Sequence, residues 1–221
     1  ISYRLVGSEM CIRDRAIICL ITPTVVQARP VSYTGGWTFI ETSNRVSTAG
    51  LLHYTINPKV SLGLRHERMR DADIDMTMAQ GTWLVKRWFG KDYQANVYTM
   101  AGAGTISDNS GMSSIQETGS FLGLMADWET RSKFVSYESR FLDKGALGSQ
   151  SMHAARVGWA PYEGDTGSLH TWLMVEIDHR EQLKEDTTVT PLVRFFKGAA
   201  LLELGYNLTD PSPLINFTYR F

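Results

Sequence analysis

Ser149, Ser151 and His153 stand close enough in the chain to share chemistry. Residues two apart in an extended segment project from one face, and a histidine beside a serine can act as the base that activates it. Ser151 and His153 are therefore the candidate catalytic residues. The pair is incomplete, because no third residue that would orient His153 is evident and no Gly-x-Ser-x-Gly elbow occurs. The five histidines, His53, His66, His153, His170 and His179, form no HxxxH, HxH or Cys/His cluster, so the sequence supports no metal site. Nine methionines offer thioether sulfur that suits Cu(I), but Met69, Met76, Met78, Met100, Met125, Met152 and Met174 read better as adaptable packing residues. The glycines of Ala101-Gly102-Ala103-Gly104 and Gly119-x-x-x-Gly123 precede no helix and cradle no phosphate; on a strand they make room for an opposing side chain. No motif calls for a cofactor.

A larger set of ionisable residues recurs at alternating positions. Arg65 and Glu67, Lys86, Asp127 and Glu129, Glu138 and Arg140, Arg156, Glu176, Asp178 and Arg180, Arg194, Glu203 and Arg220 include acids and bases in equal number. Their neighbours on the opposite face are apolar: Val60, Leu62 and Leu64; Leu122, Leu124, Ala126 and Trp128; Val135, Tyr137 and Phe141; Ala155, Val157 and Trp159; Leu173, Val175 and Ile177; Leu202, Leu204 and Tyr206. A period of two means strands with one charged and one greasy face. Charged side chains are rarely buried unless paired, so the charged face either meets solvent or lines an interior where acids and bases meet.

The elements that must position these residues are twelve amphipathic segments, near 36–42, 48–56, 60–70, 76–87, 93–106, 115–129, 133–142, 151–162, 168–182, 187–197, 200–208 and 213–221. Turn residues such as Asn57-Pro58, Gly90-Lys91-Asp92, Asp143-Lys144-Gly145 and Asp210-Pro211 separate them. Residues 37–221 give about 15 per strand and turn, against about 9–11 for a tilted membrane strand. The first pair is the least clearly delimited, so ten strands are an alternative. Alternate connections, near 43–47, 71–75, 107–114, 143–150, 183–186 and 209–212, fall at one end, and all are short.

The formal net charge of −1 supplies no basic excess for nucleic acid. No run of about 18 apolar residues occurs, which excludes a helical membrane bundle but not a barrel. Arg13 and Arg15 precede an apolar stretch ending at Val26-Gln27-Ala28, the layout of a secretory signal peptide. Residues 16–28 are thus expected to be a leader remnant cleaved after Ala28, leaving a single domain at 29–221. Cys11 and Cys19 both precede that cut, so the mature chain would hold no disulfide. Residues 1–15, through the run Val6–Arg15, resemble translated sequencing-adapter sequence and are set aside.

The last stretch, Leu214-Ile215-Asn216-Phe217-Thr218-Tyr219-Arg220-Phe221, places Ile215, Phe217, Tyr219 and Phe221 on one face and Asn216, Thr218 and Arg220 on the other. It resembles the closing strand of bacterial outer-membrane β-barrel proteins, whose terminal Phe is read by the barrel-assembly machinery. The resemblance implies an all-β, closed antiparallel up-and-down transmembrane barrel in the outer membrane, facing outer-membrane lipid and engaging that machinery through Phe221. Trp37, Trp83, Trp128, Trp159, Tyr206, Tyr219 and Phe221 would supply interfacial girdles. Arg65, Glu67, Lys86, Asp127, Glu138, Arg140, Arg156, Glu176, Asp178, Arg194, Glu203 and Arg220 would line the lumen. Function follows as a narrow channel or transporter for small polar solutes, or as a structural envelope protein whose lumen its own ion pairs close. The alternatives are a lipid-modifying outer-membrane enzyme built on Ser151 and His153, and a soluble periplasmic β-barrel binding protein.

Overall fold

Side chains that alternate in polarity commit each strand to one facing, and a sheet of such strands removes its edges by closing on itself. This computed structural model describes residues 31–111, 115–165, 167–181 and 186–221; the expected leader and the residues before it lie outside them. Twelve strands follow one another: β1 (Trp37–Ser43), β2 (Ser47–Asn57), β3 (Val60–Met69), β4 (Ile74–Phe89), β5 (Gln94–Asp108), β6 (Ile115–Glu129), β7 (Lys133–Asp143), β8 (Ser149–Trp159), β9 (His170–Arg180), β10 (Thr187–Lys197), β11 (Ala200–Asn207) and β12 (Ser212–Arg220). Each pairs antiparallel with the next, and β12 pairs with β1, giving a closed barrel. The ten-strand alternative is excluded, since β1 and β2 form a full pair from Trp37↔Tyr54 to Ser43↔Thr48.

Closure brings the terminal strand against Trp37 and Phe39. Phe39 lies opposite Tyr219 and Thr38 opposite Arg220. The Trp37 N–H donates to Phe221 O at 2.9 Å, and the Phe221 N–H returns to Trp37 O at 3.1 Å. The rim carrying these two residues is called the lower rim; β1 to β2 connects at the upper one.

Turn chemistry holds the rims. Asn44 Oδ1 accepts from the Val46 and Ser47 N–H groups, each at 3.0 Å, and Asn207 Oδ1 accepts from Thr209 and Asp210 at 2.9 and 3.0 Å. Gly198, at φ 60°, makes the tight lower connection between β10 and β11.

Strand alternation sorts the side chains in one direction. Leu64 and Leu122, on the outer face, are 64% and 67% exposed, whereas inward Glu67 and Glu203 are each 2% exposed. Glu41 is an acidic exception on the outer face of β1. One expected facing is wrong. The register between β4 and β5 shifts between Leu84 and Lys86, and this bulge turns Lys86 outward, with its ammonium 5.0 Å from the Trp88 ring. Arg87 takes the inward position that Lys86 would have held.

The glycines of β5 and β6 make the close approaches that the interior needs. A methyl group at Gly119 would collide with Ile106 Cδ1, one at Gly102 with the Phe121 ring, and one at Gly104 with the Thr77 carbonyl oxygen. At Gly104 the obstacle is backbone and cannot step aside. Gly104→Ala should therefore destabilise the barrel by about 1–3 kcal/mol, read as a lower urea midpoint for loss of the compact, heat-modifiable gel form.

Candidate functional site in the lumen

The inward faces bring most of the sequence-predicted lumen residues together in two ion-pair groups. In the upper group Glu67 accepts from two arginines. Arg65, on the same strand, donates through Nε and Nη2 to Glu67 Oε2 at 3.0 and 2.8 Å. Arg140, across the lumen on β7, grips both carboxylate oxygens at 2.9 and 3.0 Å and lies 5.8 Å from the Phe121 ring. The fork of a guanidinium matches a carboxylate in this bidentate way.

The lower group joins five strands, β8 to β12. Glu203 on β11 accepts from Arg194 Nε at 2.6 Å, from Arg156 Nη1 at 3.1 Å and from Asn216 Nδ2 at 2.6 Å. Arg156 Nε also donates to Glu176, and Arg194 stacks 4.7 Å from the Phe134 ring. Glu138, inward on β7, acts electrostatically on Arg65, Arg140 and Arg156 and so couples the two groups.

The remaining expected lumen residues sit around these groups. Asp178 accepts from Arg180 Nε at 2.8 Å on the same strand. Asp127 accepts from Asn96 Nδ2 at 2.6 Å, and Asn96 Oδ1 accepts from Arg87 Nε at 2.6 Å. Arg220 points inward in one row with Thr38 and His53. Arg87, Asn96 and Asn216 were missed. The amides carry no charge to flag them, and the doublet Lys86-Arg87 inside a bulged strand was the available signal for Arg87.

Apolar residues fill the space between and beyond the charges. Val46, Met69, Ile74, Met76, Met78, Ile106, Phe121 and Leu142 pack as one cluster near the upper rim. Val31, Leu84 and Tyr98 pack near the lower rim, and Trp172, Met174, Leu192 and Leu214 form a third cluster. Of the methionines named in the sequence, Met69, Met76, Met78 and Met174 are buried in these clusters, and Met100 and Met125 pack against them. Arg45 in the first upper connection pairs with Asp210 in the last at 3.2 Å, joining neighbouring connections over the β12–β1 seam. Below it, a recess lined by Asn44, Glu176, Asp178 and Asn207 measures about 20 Å³, room for about one water molecule.

Ser151 and His153 do not face this interior. Both lie on the outer face of β8, where His153 Nδ1 meets the Tyr137 hydroxyl at 2.8 Å. Tyr137 is therefore the orienting partner that the sequence did not reveal. Among the described residues no group of three or more His, Cys, Asp or Glu side chains could hold a metal ion.

Glu67 and Glu203 are each balanced by two arginines, which sets a strong expectation for stability. Glu67→Gln would leave Arg65 and Arg140 facing each other without their shared anion. Breaking a buried pair in this way costs about 3–5 kcal/mol. The unfolding midpoint in urea should fall by that equivalent, and an unchanged midpoint would show that the group contributes no stability.

No family model matches the sequence, and no curated protein matches it. Among solved structures, the chain is similar to a membrane protein from a study of in-meso crystallization, at 13% identity and a TM-score of 0.44, covering 86% of this chain and 83% of that one. It is similar to the translocator domain of the autotransporter NalP from Neisseria meningitidis, at 11% identity and a TM-score of 0.43, covering 84% and 86%. A third similarity is to Acinetobacter baumannii OccAB2, at 11% identity and a TM-score of 0.38, covering 83% of this chain and 59% of that protein. The fold assignment rests on the strand pairing of this chain.

Proposed function

We propose that this chain is a bacterial outer-membrane protein whose barrel is closed to solutes by its own side chains, a structural envelope protein working through its outer face and rims. The observation that carries this reading is the burial of Glu67 and Glu203, each at 2% exposure and each gripped by two arginines, in the middle of the lumen. The wall of an open channel would leave such groups in water. A barrel of about this size has little interior beyond its side chains.

The membrane placement is supported by the direction of sorting. Leu62, Leu64, Leu122, Leu124, Val157 and Ile177 are exposed on the outside, and most ionised groups of the strands face inward, the reverse of what a water-soluble barrel needs. Trp37, Trp128, Trp159, Tyr219 and Phe221 stand exposed toward the lower rim, where a girdle marks a membrane interface. On this reading the lower rim is periplasmic, the chain is exported by the leader at 16–28, and Phe221 presents the closing strand to the assembly machinery.

Two measurements test the proposal. Detergent-extracted protein should show heat-modifiable mobility, and planar bilayers containing it should show no conductance steps. Steady steps would overturn the closed lumen, and recovery of the protein in a soluble fraction without detergent would overturn the membrane placement. Phe221→Ala keeps the backbone pair with Trp37 and removes the ring. It should lower the assembled level in cells several-fold while refolding into detergent micelles proceeds as in the parent; equal levels in cells would remove the role given to the ring.

A further inference from the structure

The outer face carries a polar row that neither the lumen nor barrel closure uses. Ser139, His153, His179 and Thr187 lie directly opposite one another across β7, β8, β9 and β10. Tyr137, one step lower on β7, places its hydroxyl 2.8 Å from His153 Nδ1, and the Thr187 hydroxyl lies 2.9 Å from His179 Nδ1. The imidazole rings are 6.4 Å apart and near parallel, at 29°. With both hydroxyls donating, each neutral ring keeps its proton on Nε2. Each ring then offers one N–H donor on the outer face.

With the rings 6.4 Å apart, a tetrahedral anion with several strong acceptor oxygens can take one hydrogen bond from each. The row itself contains no acidic side chain. Below it on β8 and β9 the outer face turns apolar at once, with Ala155 opposite Ile177. Beneath those residues, a groove of about 790 Å³ runs across β8 to β11, walled by Val157, Leu173, Val175, Val193 and Leu204. Its volume falls in the range of pockets that hold small ligands, about 300–1,000 Å³. Val157 and Val175 stand four residues below the two histidines, about 13 Å at ~3.3 Å per residue. A polar clamp above an apolar groove at that spacing has the layout of a lipid, headgroup over chain.

We propose that the His153–His179 pair and the groove beneath it form a docking site for one phosphate-bearing, two-chain membrane lipid, its phosphate bridging the two imidazoles and a chain lying in the groove. The proposal rests on the membrane placement above, under which this outer face meets lipid. It also gives His153 and Tyr137 a binding role that requires no nucleophile from Ser151.

Native mass spectrometry of the folded protein in detergent micelles tests this, with dioleoyl phosphatidic acid, dioleoylglycerol and inorganic phosphate as separate probes. One phosphatidic acid should be retained per barrel, about tenfold in preference to dioleoylglycerol. Millimolar inorganic phosphate should not displace it, because the chain also contributes. The double variant His153→Leu, His179→Leu should lose about tenfold in retention, and His66→Leu, at an outer-face histidine on β3, should lose none. Equal retention of the two lipids by the parent, or unchanged retention in the double variant, would overturn the site; displacement by inorganic phosphate would reduce it to a bare anion site and overturn the lipid. Heat-modifiable mobility and insertion into phospholipid vesicles are measured on the same samples. A barrel that inserts without discriminating sinks the docking site alone, and one that fails to insert sinks the membrane placement and the docking site with it.

Discussion

Unpaired backbone N–H and C=O groups cost several kcal/mol each in an apolar medium, and under the proposed membrane placement that cost governs this chain from Trp37 to Phe221. Eleven hairpin pairings still leave two edges, and the outer residues beside those edges, Phe39 and Phe217 among them, are suited to hydrocarbon. The pairing of β12 with β1 removes both edges at once. Under the membrane placement proposed above, the terminal strand is the element without which the other eleven have no stable arrangement in lipid. Its side-chain alternation must agree with that of β1, since a slip of one residue would carry Arg220 to the outside and Tyr219 to the inside.

Closure creates an interior that is cut off from bulk water, and the same physics then acts on the side chains within it. A lone carboxylate there would be costly. Glu67 and Glu203 are each met by two guanidinium groups from different strands or positions, and the arginines in turn cover Phe121 and Phe134. Methionines and aliphatic residues take up what space the forks leave. The lumen is thus packed like a protein core in which some of the contacts happen to be ionic.

Much of this was legible in the sequence. Twelve segments, with ten as the alternative, the facing of β12 and the division into charged and apolar faces follow from a period of two and from turn residues, while the closed up-and-down order came with the resemblance of the last strand. The individual ion pairs do not, because their partners are far apart in the chain: Arg140 and Glu67 are separated by 73 residues and Arg156 and Glu203 by 47. Which carboxylate meets which arginine depends on strand tilt and stagger, and alternation says nothing about those. Lys86 failed for a local reason, since one extra residue at the β4 bulge inverts the facing of all that follows it. Ser151 and His153 were rightly seen to share a face, but Tyr137 and His179 come from neighbouring strands and enter only through register.

An ion-paired lumen is not the most stable filling available, because buried salt bridges replaced by well-packed apolar residues are often as stable or more so. What the charges add is a difference between the two faces. With apolar residues on both sides, a strand such as β3 could turn over at the cost of little more than repacking, and its one-residue slip would be nearly degenerate with the native register. Arg65 and Glu67 make that slip prohibitive, since it would place both charges on the outside and leave Arg140 without its anion. The same reasoning explains why the charged positions recur on most strands of the barrel while the upper and lower ends of the lumen can be plain hydrocarbon. Register has to be fixed strand by strand, and one or two inward charges per strand suffice to fix it.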